Sequence, residues 1–133
     1  MAEIFGSLVA QIAEVSMDNN RPRVHRMWCA IDCGTPVNPG SVEAQVQGGI
    51  FWGVSAALYG SIDFKDGQIV QSNFNNYKVA TFRDAPKVIV DVMVNPDAPV
   101  GGVGETGTPT VAPAIANAIA AIADRRRDLP LGG

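Results

Sequence analysis

The sequence predicts an α+β domain: antiparallel strands with two main helices. Three observations carry this. KVIVDVMVN (87–95) alternates, placing Val88, Val90, Val92 and Val94 on one face with the period of a half-buried strand. Residues 39–60 step by threes and fours instead, through Val42, Val46, Ile50, Val54, Ala57 and Leu58, which is one buried stripe of a helix. The Ala-rich run TVAPAIANAIAAIA (110–123) supplies a second helix. The 133 residues suffice for one domain with a single modest core, and no repeat, low-complexity tract or internal boundary divides them.

Along the chain, SLVAQIAEVSM (7–17) fits either period, with Leu8, Ile12 and Val15 at helical spacing and Val9, Ala13 and Val15 in alternation. The turn residues DNNRP (18–22), followed by the strand-like VHRMWCAID (24–32), favour two strands around a tight turn. CGTPVNPG (33–40) is a loop. Asn38 is placed to cap the first helix, and Pro39 opens it at a position where a missing N–H costs nothing. Gly48, Gly49 and Gly53 each cost about 1 kcal/mol inside a helix relative to Ala, so close approach of a backbone or a ligand is expected there. Asp66-Gly67 marks a hairpin within 61–74, between Ile62/Phe64 and Ile69. Residues 75–86 read as irregular. PDAPVGGVGETGTP (96–109) is a loop of the length at which loops tend to carry function. Thr108 is the expected cap of the second helix and Pro109 its first residue.

Composition excludes several classes. With 47% apolar and 17% charged residues, the composition argues against disorder, and so lightly charged a surface suggests that some apolar surface is covered by something other than this chain. A net charge of -3 with no basic face argues against nucleic acid. Arg125-Arg126-Arg127 follows the second helix, where basic side chains complement a helix C-terminus. Cys29 and Cys33 are too few for an iron–sulfur cluster, and the single His25 does not complete a zinc set, so both are expected as core thiols of a reduced, cytoplasmic protein. No signal peptide and no membrane span is expected.

The functional question concentrates in GGVGETGTP. Gly102-Val103-Gly104-Glu105-Thr106-Gly107 has the G-x-G-x-x-G spacing of a dinucleotide loop. That fingerprint needs a strand running directly into the glycines, whereas Asn95 to Val100 intervene. Too little chain follows Gly107 for the rest of a nucleotide-binding half, and Glu105 would repel a diphosphate. Two readings remain from the residues alone. The glycines are a helix-opening turn with a carboxylate near the positive helix end, or they hold Glu105 for chemistry.

A longer succession sharpens the second. Asp32-Cys33-Gly34, Val37-Asn38-Pro39, Val42-Glu43-Ala44-Gln45-Val46-Gln47-Gly48-Gly49, Ala57-Leu58-Tyr59, Gln71-Ser72-Asn73-Phe74, Tyr77, Ala85-Pro86, the Gly102–Gly107 loop and Ala112-Pro113-Ala114-Ile115-Ala116-Asn117-Ala118-Ile119 follow in order. This succession resembles the C-terminal end of the molybdopterin-binding large subunit of molybdenum hydroxylases, the xanthine dehydrogenase and aldehyde oxidase family. It is nearest the isoquinoline 1-oxidoreductase beta subunit branch. The resemblance covers almost the whole chain, and its force lies in order and spacing.

The resemblance implies a single segment, 1–133, belonging to a larger molybdopterin-binding domain. It implies a molybdenum cofactor, molybdopterin in its cytosine dinucleotide form, with iron–sulfur clusters on a partner subunit. Glu105 matches the catalytic base, which takes a proton from a Mo-bound hydroxyl as that oxygen attacks a carbon of an N-heterocycle or aldehyde. Gln45 matches a pterin-binding glutamine, and Gly102, Val103 and Gly104 accompany the base around the cofactor. No residue of this chain is expected to ligate the metal. Large subunits of the family are several times longer, and their Gly-Gln-Gly-type and Arg-Gly-type cofactor loops have no match here. The implied partners are therefore the remainder of the large subunit, a small iron–sulfur subunit or other electron-transfer partner, and a small-molecule substrate. The isolated chain is expected to be inactive, and to be periplasmic only if exported with a partner. The competing readings are a non-catalytic interaction module or remnant of the same fold, and a small independent nucleotide-binding protein.

Overall fold

A computed structural model describes residues 1–132. Six strands and two α-helices follow in the order β1 (Ala2–Ile4), β2 (Ser7–Asp18), β3 (Arg21–Asp32), α1 (Pro39–Tyr59), β4 (Phe64–Lys65), β5 (Gln68–Ile69), β6 (Lys87–Met93) and α2 (Val111–Ala120), with a 3-10 turn at Phe82–Asp84. Four strands form one sheet in the order β1-β2-β3-β6. The tight turn expected between the two long strands is Asn19-Asn20, both with positive φ, a backbone region that asparagine tolerates better than most residues. β2 and β3 then pair antiparallel from Leu8↔Asp32 to Asp18↔Arg21, with an irregularity at Glu14/Val15.

The sheet is antiparallel except at one edge. β6 runs parallel to β3, from Arg26↔Lys87 to Asp32↔Met93. Alternation shows that a strand exists but not which neighbour it joins. Here the long connection through α1 returns the chain in the same direction, which a tight turn cannot do. β6 ends at Met93, so Val94 falls outside the strand and is exposed, while Val88, Val90 and Val92 pack half-buried against the core as expected.

Both helices cover one face of the sheet. α2 lies against β2 and α1 against β6, and the helices touch each other. Val9, Met27 and Ile31 from the sheet meet Val46, Ile50 and Val54 of α1 and Val111, Ile115 and Ile119 of α2, all buried. Asn38 caps α1 as expected, its side-chain oxygen accepting from the Ser41 N–H at 3.1 Å. The helical glycines divide by role. A Cβ on Gly53 would stand 2.6 Å from the Val111 side chain, and one on Gly49 3.2 Å from the Thr108 hydroxyl, so both exist to let α2 and its leading loop come close. Gly48 has open space.

Three expectations are corrected. The second helix starts at Val111 with Thr110 at the cap, not at Pro109 after Thr108. The Thr108 hydroxyl is taken by the Gly49 carbonyl of α1 at 3.0 Å, which binds the loop to the first helix instead of capping the second. Arg126 does not serve the end of α2 either. It reaches the Asn20 carbonyl and side chain and the Leu131 carbonyl, fastening the C-terminal segment to the β2–β3 turn. Finally, the 61–74 hairpin is only two residues per strand, around Asp66 (φ 51°) and Gly67 (φ 75°), and its Phe64 and Ile69 stay exposed.

Candidate functional site

A cleft of about 580 Å3 opens where three segments meet: the loop after β3, the first turns of α1 and the glycine loop. Its lining includes Thr35, Ser41, Gln45, Val103 and Gly104. Three of the sequence-predicted site residues, Gln45, Val103 and Gly104, thus share one wall. Gln45, two turns into α1, donates its Nε2 to the Gly104 carbonyl at 2.7 Å. Glu105 follows Gly104 directly, is exposed, and its carboxylate makes no hydrogen bond or ion pair among the described residues.

The loop around Glu105 is held from several elements. The Gly101 N–H donates to the Cys33 carbonyl at 3.0 Å, and the Gly102 N–H to Phe5 at 2.8 Å. The Ser7 hydroxyl donates to the Gly102 carbonyl at 2.8 Å. Gln11 Nε2 donates to the Gly107 carbonyl at 2.8 Å. The Glu105 carbonyl itself accepts from the Thr108 N–H at 3.1 Å. Most of the glycines are explained by this packing. A Cβ on Gly101 would meet the Ser7 hydroxyl and the Gly6 backbone, one on Gly102 would stand 3.1 Å from Phe5, and one on Gly107 2.8 Å from the Val46 carbonyl. Gly102 therefore faces the β1–β2 turn, not the cleft. Gly104 alone in the motif has nothing within 4 Å of a Cβ.

The neighbouring loops are tied by Asp32. It accepts from the Gly34 N–H at 3.0 Å and from the Asn95 side chain at 2.9 Å, and the Asn95 N–H donates to the Gly34 carbonyl. The Asn95 amide first, and then the Gly34 N–H, hold the Asp32 carboxyl below its ordinary range against the opposite pull of burial. Gly34 has φ 78°, and a Cβ there would stand 2.6 Å from the Pro99 carbonyl, so glycine is required. Cys29 and Cys33 are free and buried, as expected of core thiols. Burial pushes the Cys29 thiol up, only partly offset by Gln11, which leaves it a poor nucleophile. Cys33 nevertheless lines the cleft.

Gln11 and Ser7 escaped sequence reasoning. The missed signal for Gln11 is a polar residue in the inward row Val9, Gln11, Ala13, Val15 of β2. A second cleft of about 440 Å3 lies at the opposite ends of β3 and α1, lined by Arg21, Arg23, Arg83, Asp18, Tyr59 and Asp84 among others. It contains none of the expected site residues. There Tyr59 donates to Asp84 at 2.8 Å, and burial followed by this acidic partner pushes its phenol up to about 12. Among the described residues no cluster of His, Cys, Asp and Glu could hold a metal ion, and no helix is long and apolar enough to cross a membrane.

The chain is similar to known proteins. Residues 4–86 match the molybdopterin cofactor-binding domain family, a stretch that stops short of the glycine loop. The isoquinoline 1-oxidoreductase subunit beta of Brevundimonas diminuta is 36% identical over 126 residues, which is 92% of this chain and 16% of the relative. The aldehyde oxidoreductase molybdenum-binding subunit of Escherichia coli is 35% identical over 118 residues, 82% of this chain and 16% of the relative. Among solved structures, quinoline 2-oxidoreductase from Pseudomonas putida 86 superposes with a TM-score of 0.79 at 27% identity, covering 90% of this chain and 16% of that one. The chain thus spans about a sixth of the length of the relatives it matches.

Proposed function

This chain belongs to the molybdopterin cofactor-binding domain family, and from that premise we propose that it is the C-terminal segment of a molybdenum hydroxylase large subunit, contributing the catalytic base Glu105 and one wall of the cofactor site. The observation that carries this reading is the exposed, unpaired Glu105 on a loop fastened from several elements, one residue beyond the Gln45–Gly104 contact in the cleft. A base has to be accessible and carried on a fixed backbone: this carboxylate is exposed and the loop beneath it is fastened.

The cleft suits part of a flat heterocyclic cofactor. Val103 offers apolar surface, Thr35, Ser41 and Gln45 offer polar groups at the edge, and the space over Gly104 admits a ring close to the backbone. No lysine or arginine lines it, so the phosphates of a cytosine dinucleotide form would be held by other segments. Gln45, Val103 and Gly104 would hold the pterin edge, with Gly102 fixing the loop from behind. When bound, the molybdenum centre supplies the acceptor for two electrons. The substrate, an N-heterocycle or aldehyde, gains an oxygen derived from water and loses a hydrogen. Glu105 takes up a proton at its carboxylate as that oxygen attacks, and the hydrogen bonds to its loop backbone keep the residue in line.

The assembly consists of this chain, the remainder of the large subunit and a small iron–sulfur subunit or other electron-transfer partner, in the cytoplasm unless exported with that partner. The isolated chain is inactive because it makes one wall only. The test is to purify the chain alone and together with the rest of its large subunit, and to assay molybdenum content and oxidation of quinoline-type heterocycles and aldehydes. Molybdenum and turnover are expected in the assembly alone. Turnover by the isolated 133-residue chain supplied with cofactor contradicts this reading.

A further inference from the structure

We propose that Gln11 is a positioning residue for Glu105: with Gln45 it forms a pair of amide tethers on the two glycine carbonyls that bracket the acid. Gln45, on α1, donates to Gly104 at 2.7 Å, and Gln11, on β2, donates to Gly107 at 2.8 Å. The segment Gly104–Gly107 is therefore held from the helix on one side and from the sheet on the other, and Glu105 lies between the two tethers. The role rests on the reading of Glu105 as the base.

Three features single out Gln11. It stands in the inward row of β2, opposite Cys29 in register, where its neighbours in the row are Val9 and Ala13. Its Oε1 is buried with no hydrogen-bond partner among the described residues. Turning the amide over would set Oε1 against the Gly107 carbonyl, two acceptors facing each other, so the tether fixes the orientation that leaves Oε1 unpaired. An apolar side chain would avoid that orphaned oxygen but would leave the Gly107 carbonyl without its donor, so the glutamine answers to the carbonyl it serves. The carbonyl it serves needs a donor. Gly107 is buried and wedged against the Val46 backbone, out of reach of water, and Gln11 is its hydrogen-bond partner among the described residues.

The role is positioning, not catalysis, since Gln11 lies outside the cleft lining. Losing the tether is expected to let Glu105 wander from the reacting centre without changing how substrate binds. An error of this kind lowers kcat much more than it changes KM.

The experiment compares Gln11→Leu and Gln11→Met with Glu105→Gln in the assembled enzyme. Both Gln11 variants keep most of the side-chain volume and lose the donor. Expected for each is a fall in kcat of about tenfold, KM within about twofold of the parent, and molybdenum retained. Amide hydrogen exchange should quicken in residues 104–108 and stay unchanged in 24–32. Unchanged kcat and unchanged loop exchange overturn the proposal. So does a general rise in exchange across the β2–β3 pair, or failure of both variants to assemble with molybdenum, since either assigns Gln11 to folding. The Glu105→Gln arm separates the two levels. Parent-like turnover there removes the base itself, whereas abolished turnover beside unaffected Gln11 variants removes the tether alone.

Discussion

Gln45 and Gly104, 59 residues apart in sequence, are joined by a 2.7 Å hydrogen bond from the side-chain amide to the backbone carbonyl. The contact couples the first helix to the loop that carries Glu105, and it uses only one end of the amide. Replacing Gln45 by Leu removes the coupling together with the group assigned to the pterin edge. A neutral hydrogen bond contributes about 1 kcal/mol, so molybdenum retained by the assembled enzyme is expected to fall about fivefold at limiting cofactor. Molybdenum per protein, measured after dialysis, checks this, and parent-like retention excludes Gln45 from the site.

The glycines of the motif are expected to separate into two behaviours. Gly107→Ala places a Cβ 2.8 Å from the Val46 carbonyl, a backbone atom that cannot swing aside, so a loss of about 1–3 kcal/mol is expected. Gly104→Ala meets nothing within 4 Å and should leave the melting temperature unchanged, while its methyl intrudes on the space assigned to the cofactor. Thermal unfolding and molybdenum content of the two variants check the contrast.

How far the sequence reached is visible in these same elements. Asn38-Pro39, Asp66-Gly67 and the valines at 88, 90 and 92 carry local instructions in their own chemistry, and the helix cap, the turn and the strand are where those residues put them. The parallel partner of β6 is decided by a long connection and shared burial, which no local pattern encodes. Thr108 has the right chemistry for a cap, but a helix carbonyl on Gly49 competes for its hydroxyl and wins. At the candidate site, ordered resemblance is what singles out Glu105 and Gln45. The bond from Gln45 to Gly104, beside Glu105, was not legible, because loop closure over so many residues leaves no trace in spacing. Gln11 left a faint one, as the polar gap in an apolar row.

Asp32 gives the acid side of stability a distinct origin. Its folded carboxyl is held below the ordinary value by Asn95 and Gly34, so its contribution is present above the unfolded carboxylate range near about 4 and is lost as pH falls through the lower folded value. Asp32→Asn should be less stable than the parent at neutral pH and should lose less on acidification. Denaturant unfolding at neutral and acidic pH checks both, and parallel losses in parent and variant contradict the assignment.

Tyr59 acts at the alkaline end. Its phenol is pushed up to about 12 by burial and by the Asp84 partner, so the stability it brings is full below the unfolded value of about 10 and fades as pH rises through about 12. The chain has two tyrosines, Tyr59 and Tyr77. Ultraviolet titration of the parent against Tyr59→Phe should show that a phenolate step near about 12 disappears.

The central claim is that Glu105 is the base of a molybdenum site completed by other segments. The most direct measurement is turnover of the assembled enzyme bearing Glu105→Gln, with molybdenum quantified in the same preparation. The glutamine keeps the shape and the bond that residue 105 makes, from the Thr108 N–H to its carbonyl, and removes the proton acceptor. The expected result is turnover lowered by about two to four orders of magnitude with molybdenum content unchanged. Parent-like turnover at full molybdenum occupancy contradicts the account.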